Sequence, residues 1–363
     1  MVFVGYQVVN ILGFFMNCYG KALPYISTAT LWISLTSFVV ILVTVPATAD
    51  THQDAKFVFA TFVNHTGWEQ NGIAFIVGLI NTNWAFACLD CATHLAEEVS
   101  RPERTIPLAI MGTVVIGFVT SWLYSISMFF SMTNLDELFT TATGVPMLAL
   151  FEQALKHRAG AIVLEALIIA TGMGCLAACH TWQSRLCWSF ARDGGVPCSK
   201  FLAKVVPGLD VPINAHVVSC VIVSVLGCLY LGSYTAFNSM VTACIVLLYV
   251  SYALPVGCLL VKGRSSLTGP FSMGALGLVS NIVLLMWTLF TLVMFSFPAV
   301  MPVAADSKSS PVYLFSTHSY RGIDMNYVCA VYAIVAGIIT IDWFVRGKRT
   351  YKFGGSGHSD DFE

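Results

Sequence analysis

The stretch Trp84-Ala-Phe-Ala-Cys-Leu-Asp-Cys-Ala-Thr-His-Leu-Ala-Glu-Glu-Val-Ser-Arg-Pro-Glu-Arg-Thr-Ile-Pro107 runs from an apolar segment through a lone acid into a charged loop bounded by prolines. The apolar segment, 71–94, reaches the roughly 20 residues that a helix needs to cross a hydrocarbon layer. An acid in the middle of such a helix costs about 3 kcal/mol or more, and membrane chains keep one chiefly where it meets a ligand or an ion. Asp90 is that acid. Its surroundings predict an all-α integral membrane protein with a polar site inside the bilayer.

The composition agrees. Of 363 residues, 57% are hydrophobic and 10% are charged, against about 25% charged in ordinary soluble domains. Mean hydropathy is +0.77. Apolar stretches recur along the chain and predict nine spans, at 2–20, 28–47, 71–94, 108–131, 161–186, 213–232, 236–261, 273–299 and 325–345. One transmembrane domain, 1–353, follows, with a polar tail at 354–363 that has no apolar pattern and reads as disordered. The first segment has neither a basic leader nor a small-x-small cleavage site and is read as a helix, not as a cleaved signal.

Cationic residues in short loops set membrane orientation, so their distribution says more than the net charge of −1. With the C-terminus placed in the cytoplasm, 13 of the 18 Lys and Arg residues fall on that side and only Lys56, Lys156, Arg158, Lys308 and Arg321 on the other. The sequon Asn64-His65-Thr66 then lies on the cation-poor side, where a glycan acceptor belongs. An odd number of spans places Met1 outside.

The loops carry their own signals. The connection 132–158 has a Gly144-Val145-Pro146 break and is long enough for a surface helix over Met147 to Leu155. Asp193-Gly194-Gly195-Val196-Pro197 reads as a helix stop. Most of the twelve cysteines lie inside apolar spans and read as small packing residues. Cys88-x-x-Cys91 imitates a metal or redox pair, but it has neither a second pair nor a His cluster beside it in sequence. Neither a metal site nor a cofactor is read from it.

The span holding Asp90 loses apolar density at Asn81-Thr82-Asn83 and regains it before the acid, which predicts a helix opened near 85–89 with a second half starting around Asp90. Free N–H groups at such a start carry partial positive charge and suit an anionic group. Asp90 is read both as an N-cap of the second half and as a coupling acid. Trp84 and Phe86 are read as packing rings or as a cation–π face for an ammonium group.

In the fifth span, the run Thr171-Gly172-Met-Gly174-Cys-Leu-Ala177-Ala178 permits close helix approach, with Thr171 and Gly172 as candidates for a cavity wall. Glu165, about two turns from the span's end, is expected to snorkel to water ahead of carrying protons. It is kept as a coupling candidate, and Tyr252 as a gate or a packed ring. His94 stands three and four positions before Glu97 and Glu98 and reads as part of a salt-bridged loop anchor. The chain has no H-E-x-x-H, no G-x-S-x-G and no Ser/His/Asp set near a span end, so an enzyme is not read, and nothing suggests a nucleic-acid partner.

Trp84-x-Phe-x-x-x-Asp90 followed by Ala96-Glu97-Glu98-Val99-x-Arg101-Pro102-x-Arg104-x-x-Pro107 resembles the sixth helix and following loop of the amino acid/polyamine/organocation transporters. Ser184-Arg185 with Phe190-Ala191-Arg192-Asp193-Gly194-Gly195-x-Pro197 is similar to the end of that superfamily's eighth helix, above all in the fungal amino acid, GABA and choline permeases. Phe297-Pro298-x-x-x-Pro302, Met325-Asn326-Tyr327 and Trp343-x-x-x-Gly347 resemble the last two helices of that branch.

The resemblance implies a fold of two inverted five-helix repeats with two further C-terminal helices, and equates the nine spans with helices four to twelve. It leaves without counterpart the first three helices, among them the broken one that binds the substrate carboxylate in the family. It further implies a secondary active permease for an amino acid or a small amine such as GABA or choline, working by alternating access with protons or exchange, in the plasma membrane or an organelle membrane such as the vacuole. Candidate substrate contacts by motif position are Trp84, Ala85, Phe86, Ala87, Cys88, Leu89 and Asp90. The family often has Gly two residues before the acid, where this chain has Cys88. The alternative reading is a transport-incompetent fragment or a regulatory partner of a full-length permease.

Overall fold

A computed structural model describes residues 2–96, 98–264, 269–298 and 327–351. Glu97, Pro302, Met325, Asn326, Lys308, Arg321 and the 354–363 tail lie outside the described residues. The helices in chain order are α1 (Val2–Met16), α2 (Leu23–Thr48), α3 (Ala55–Ala60), α4 (Asn71–Ala85), a 3-10 segment (Leu89–Leu95), α5 (Pro102–Ser131), α6 (Leu135–Phe139), α7 (Pro146–Leu155) and α8 (Arg158–Arg192). There follow α9 (Ser199–Leu202), α10 (Ile213–Gly227), α11 (Leu229–Gly232), α12 (Tyr234–Lys262), α13 (Gly274–Met294), α14 (Val328–Asp342), a π-helical turn (Trp343–Gly347) and α15 (Lys348–Thr350).

Eight helical segments among the described residues are long and apolar enough to cross a membrane: Gly20–Thr48, Asn71–Leu95, Pro102–Ser131, Arg158–Arg192, Ile213–Gly232, Tyr234–Lys262, Gly274–Met294 and Val328–Thr350. The protein is an all-α, multi-pass integral membrane protein. The ninth expected span, 2–20, is a helix of only 15 residues, or about 22 Å against a hydrocarbon thickness of about 30 Å. Its end has a local cause. Asn17 turns its amide back onto the Gly13 carbonyl at 3.0 Å and across to the Ala177 carbonyl at 3.1 Å, a side-chain competitor for the helical ladder.

Helices are longer than the apolar windows where their ends are polar. Pro102 opens α5 six residues before the expected start at 108, because a first-turn proline lacks only an N–H that has no helical partner anyway. The surface helix expected at Met147 to Leu155 is α7, and α8 stops at Arg192 with Gly194 at φ +72°. Side chains such as Trp32, Val115, Ile169, Val261 and Ile338 are more than half exposed, as a lipid-facing surface requires.

The main apolar core lies at one end of the bundle, where Ile41 and Val45 of α2, Met128 of α5, Phe151 of α7 and Leu164 of α8 meet under the α6–α7 cover. Toward the middle, α2 and α8 approach closely. A Cβ on Gly174 would stand 2.5 Å from the Thr30 Cβ, so the small-residue run of α8 serves helix packing at this position. At the other end, Arg346 donates to the Gly194 carbonyl at 2.8 Å, to the Gly195 carbonyl at 2.7 Å and to Asp342 Oδ2 at 2.7 Å. The stop signal after α8 is thereby tied to the last helix.

Candidate functional site

The helix carrying Asp90 is broken. α4 ends at Ala85, Cys88 has φ 60° and ψ 27° in the left-handed region, and the chain resumes as a 3-10 helix over Leu89–Leu95. That segment packs between α5 and α8. Seven residues is long for 3-10 geometry, whose hydrogen bonds are poorer than those of an α-helix and which often marks a hinge. A left-handed backbone disfavours any side chain with a Cβ. The position where the resembled family often has Gly is thus one whose backbone suits Gly, and this chain holds it with Cys.

Just before the break, Asn83 is buried and fixes α4 to two neighbours. The Tyr249 hydroxyl of α12 donates to Asn83 Oδ1 at 2.5 Å, Trp287 Nε1 of α13 donates to the same oxygen at 3.3 Å, and Asn83 Nδ2 donates to the Leu79 carbonyl at 2.7 Å. The three polar residues that interrupt the apolar pattern therefore include a cross-helix anchor. Past the break, Asp90 sits in the first turn of the 3-10 segment. Cys88, not Asp90, occupies the N-cap position, and this corrects the N-cap reading: the carboxylate makes no capping bond.

Asp90 Oδ2 instead lies 3.3 Å from His94 Nε2, and Asp90 Oδ1 is buried with no hydrogen-bond partner. The Tyr252 phenol of α12 faces this carboxyl, and its oxygen is also buried without a well-formed hydrogen bond. The two residues proposed separately from sequence are neighbours. His94, read as a loop anchor with Glu97 and Glu98, belongs to Asp90. Its ring is 6.2 Å from that of Trp182, whose indole N–H is buried and unpartnered. Glu98 pairs with Arg185, Nε to Oε1 at 2.9 Å.

The remaining candidates are placed unevenly. Trp84 and Ala85 are exposed, and Phe86 faces α5, where a Cβ on Gly117 would stand 3.5 Å from its ring. Ala87 and Leu89 are half-buried at the break. Thr171 bonds within α8 to the Leu167 carbonyl at 3.1 Å, and Gly172 faces open space. Glu165 does not send both oxygens to water: Oε2 is buried without a partner, with Tyr124 of α5 nearby.

The Asn64 side chain closes a turn, accepting from Thr66 N at 3.0 Å and Thr66 Oγ1 at 2.7 Å and donating to the Trp68 carbonyl at 2.8 Å and Asn71 Oδ1 at 3.1 Å. Around the break, Cys88 and Cys91 lie together and close to Cys175 and Cys179 of α8. All twelve cysteines are free thiols.

Sequence reasoning missed a second polar group, formed by His180 of α8 with His216 and Cys220 of α10, all buried. The His216-x-x-x-Cys220 spacing, which puts both on one helix face, was the available signal.

A broken helix that presents an incompletely bonded acid among intramembrane helices is an arrangement used by solute carriers. Residues 1–318 match the family described as amino acid permease. The chain belongs to the amino acid permease family. Among curated relatives of this permease chain is a choline transporter of Saccharomyces cerevisiae, 51% identical over 351 residues, or 96% of this chain and 59% of that protein. A 7-keto 8-aminopelargonic acid transporter of the same yeast is 35% identical over 367 residues, covering 94% of this chain and 62% of that one. A swainsonine transporter of Arthroderma benhamiae is 36% identical over 353 residues, covering 97% and 66%. The chain spans about six tenths of the length of these relatives.

Proposed function

We propose that this permease chain takes part in secondary transport of an amino acid or a small amine of the choline or GABA kind, by alternating access around the break in α4. The observation that carries the reading is the Asp90 carboxyl, one oxygen held by His94 and the other buried facing the Tyr252 phenol. A fixed anion edged by an aromatic ring suits an ammonium group, through charge and through the ring face. The 51% identity to a protein named as a choline transporter supports a cationic amine as the first solute to test. Residues 84–89 are proposed to line the solute path. Proton coupling through Asp90, with Glu165 as a second candidate, a cytoplasmic C-terminus and residence in the plasma membrane or an organelle membrane complete the reading, which includes no enzymatic step.

The test is uptake of labelled choline, GABA and a panel of amino acids into vesicles bearing the protein, at two pH values. Asp90→Asn is expected to lower uptake at least tenfold while membrane insertion is unchanged. Uptake by the Asn variant equal to wild type would remove Asp90 from the mechanism. Absence of uptake of any solute by wild-type protein would overturn the transport reading in favour of a non-transporting partner.

A further inference from the structure

His180, His216 and Cys220 are 4%, 0% and 8% exposed, and the ligand atoms they offer lie within 4.8 Å of one another. Cys220 Sγ is 3.5 Å from His180 Nδ1 and 3.8 Å from His216 Nδ1. Two imidazoles and a thiol on a single ion, with bonds of about 2.0 Å to N and 2.3 Å to S in tetrahedral array, would place N and S ~3.5 Å apart. The spacing in the protein is already close to that.

The tautomers agree. His216 Nε2 is 3.2 Å from the Phe14 carbonyl, which can only accept, so the proton sits on Nε2 and the Nδ1 lone pair points at the cluster. Gln183 Nε2 lies 3.3 Å from His180 Nδ1 and 3.7 Å from Cys220 Sγ, which marks His180 Nδ1 as a second acceptor facing the cluster. The surroundings are shaped to hold these rings. Phe14 stacks on His216 with centroids 4.8 Å apart, and any Cβ on Gly13 would come within 2.5 Å of His180 Nε2.

We propose that His180, His216 and Cys220 form a binding site for a borderline-soft metal cation, Zn²⁺ or Cu⁺, that joins α8 to α10. On binding, the Cys220 thiol proton leaves to solvent and the thiolate becomes the sulfur ligand. Rotation of the Gln183 amide brings its oxygen, in place of its N–H₂, toward the ion as a weak fourth donor. A cavity of about 380 Å³ lined by Arg185 and Pro212 lies about one helical turn from the cluster, five residues after His180 and four before His216.

The test uses the full chain in lipid nanodiscs. Titration with Co²⁺ is expected to give one ion per chain, with tetrahedral d–d absorption and a thiolate-to-cobalt charge-transfer band, and Zn²⁺ should displace it. A chelator competition measures Cu⁺ separately. Cys220→Ser should abolish the charge-transfer band and weaken binding at least about 100-fold, with helicity and elution profile unchanged. X-ray absorption of the wild-type zinc complex gives a readout independent of any variant, and one sulfur with nitrogen neighbours is the expected shell. A sulfur-free shell, a shell of several sulfurs at the Cys88/Cys91/Cys175/Cys179 group, or no stoichiometric binding of either ion overturns the proposal.

Discussion

Cys88 and Asp90 stand two residues apart and play different parts. The first bends the chain through a backbone region that costs a residue with a Cβ about 1–2 kcal/mol. Cys88→Gly relieves that strain at the expense of a more flexible unfolded chain, so thermal stability in detergent should hold or rise slightly. Cys88→Val, β-branched, should lose about 1–2 kcal/mol in the same measurement. If Val were tolerated as well as Gly, the left-handed conformation would not be the native one.

Asp90 was conspicuous in the sequence because a charge in an apolar run is costly wherever the run is buried in lipid. Its partner His94 was not. A residue four positions on faces Asp90 only if the segment keeps turning, and the string of charges after His94 offered other partners. Tyr252 lies 162 residues away in sequence, and only the approach of α12 to the break makes the two neighbours.

At the scale of elements, Asn83 explains how the break is held. It accepts from one donor on α12 and another on α13, so α4 enters the break from a fixed direction. Asn83→Leu leaves the Tyr249 hydroxyl and the Trp287 indole N–H without their acceptor. The cost is expected to be about 2–6 kcal/mol, at about 1–3 kcal/mol for each buried donor left unpaired. Thermal unfolding in detergent measures it, and a loss below about 0.5 kcal/mol would show that water or another group takes over.

Helix existence was legible because lipid demands long apolar runs with internally bonded backbones. Helix ends were less so, since first-turn prolines and terminal arginines extend α5 and α8 beyond their apolar windows. The short α1 illustrates the same limit. Its sequence is apolar through Tyr19 apart from single polar residues, yet Asn17 ends it by reaching across to α8.

At the scale of the molecule, the two ends of the bundle are closed differently. One is an apolar core beneath α6 and α7, and the other is a set of charged fastenings. Arg185 is almost wholly buried on Glu98, and Arg346 spans the α8 stop and Asp342. Arg346→Lys keeps the charge but loses the planar fork that serves two carbonyls and a carboxylate at once. It should lower stability by about 1.5–3 kcal/mol and speed trypsin cleavage after Arg192. Unchanged cleavage would mean that this fastening does not hold the loop.

Composition and apolar run length determined the all-α membrane class, the number of spans among the described residues to within one, and the place where a helix must open around an acid. Those features follow from local physics: hydrocarbon thickness, backbone hydrogen bonding and the cost of charge. Which groups meet, at the opening and between α8 and α10, was decided only by tertiary structure. Asp90 with Tyr252, Asn83 with Tyr249 and Trp287, and His180 with His216 and Cys220 each depend on how separate helices are rotated and offset. Interhelical packing sets those angles, and a sequence read along one helix at a time carries no measure of them.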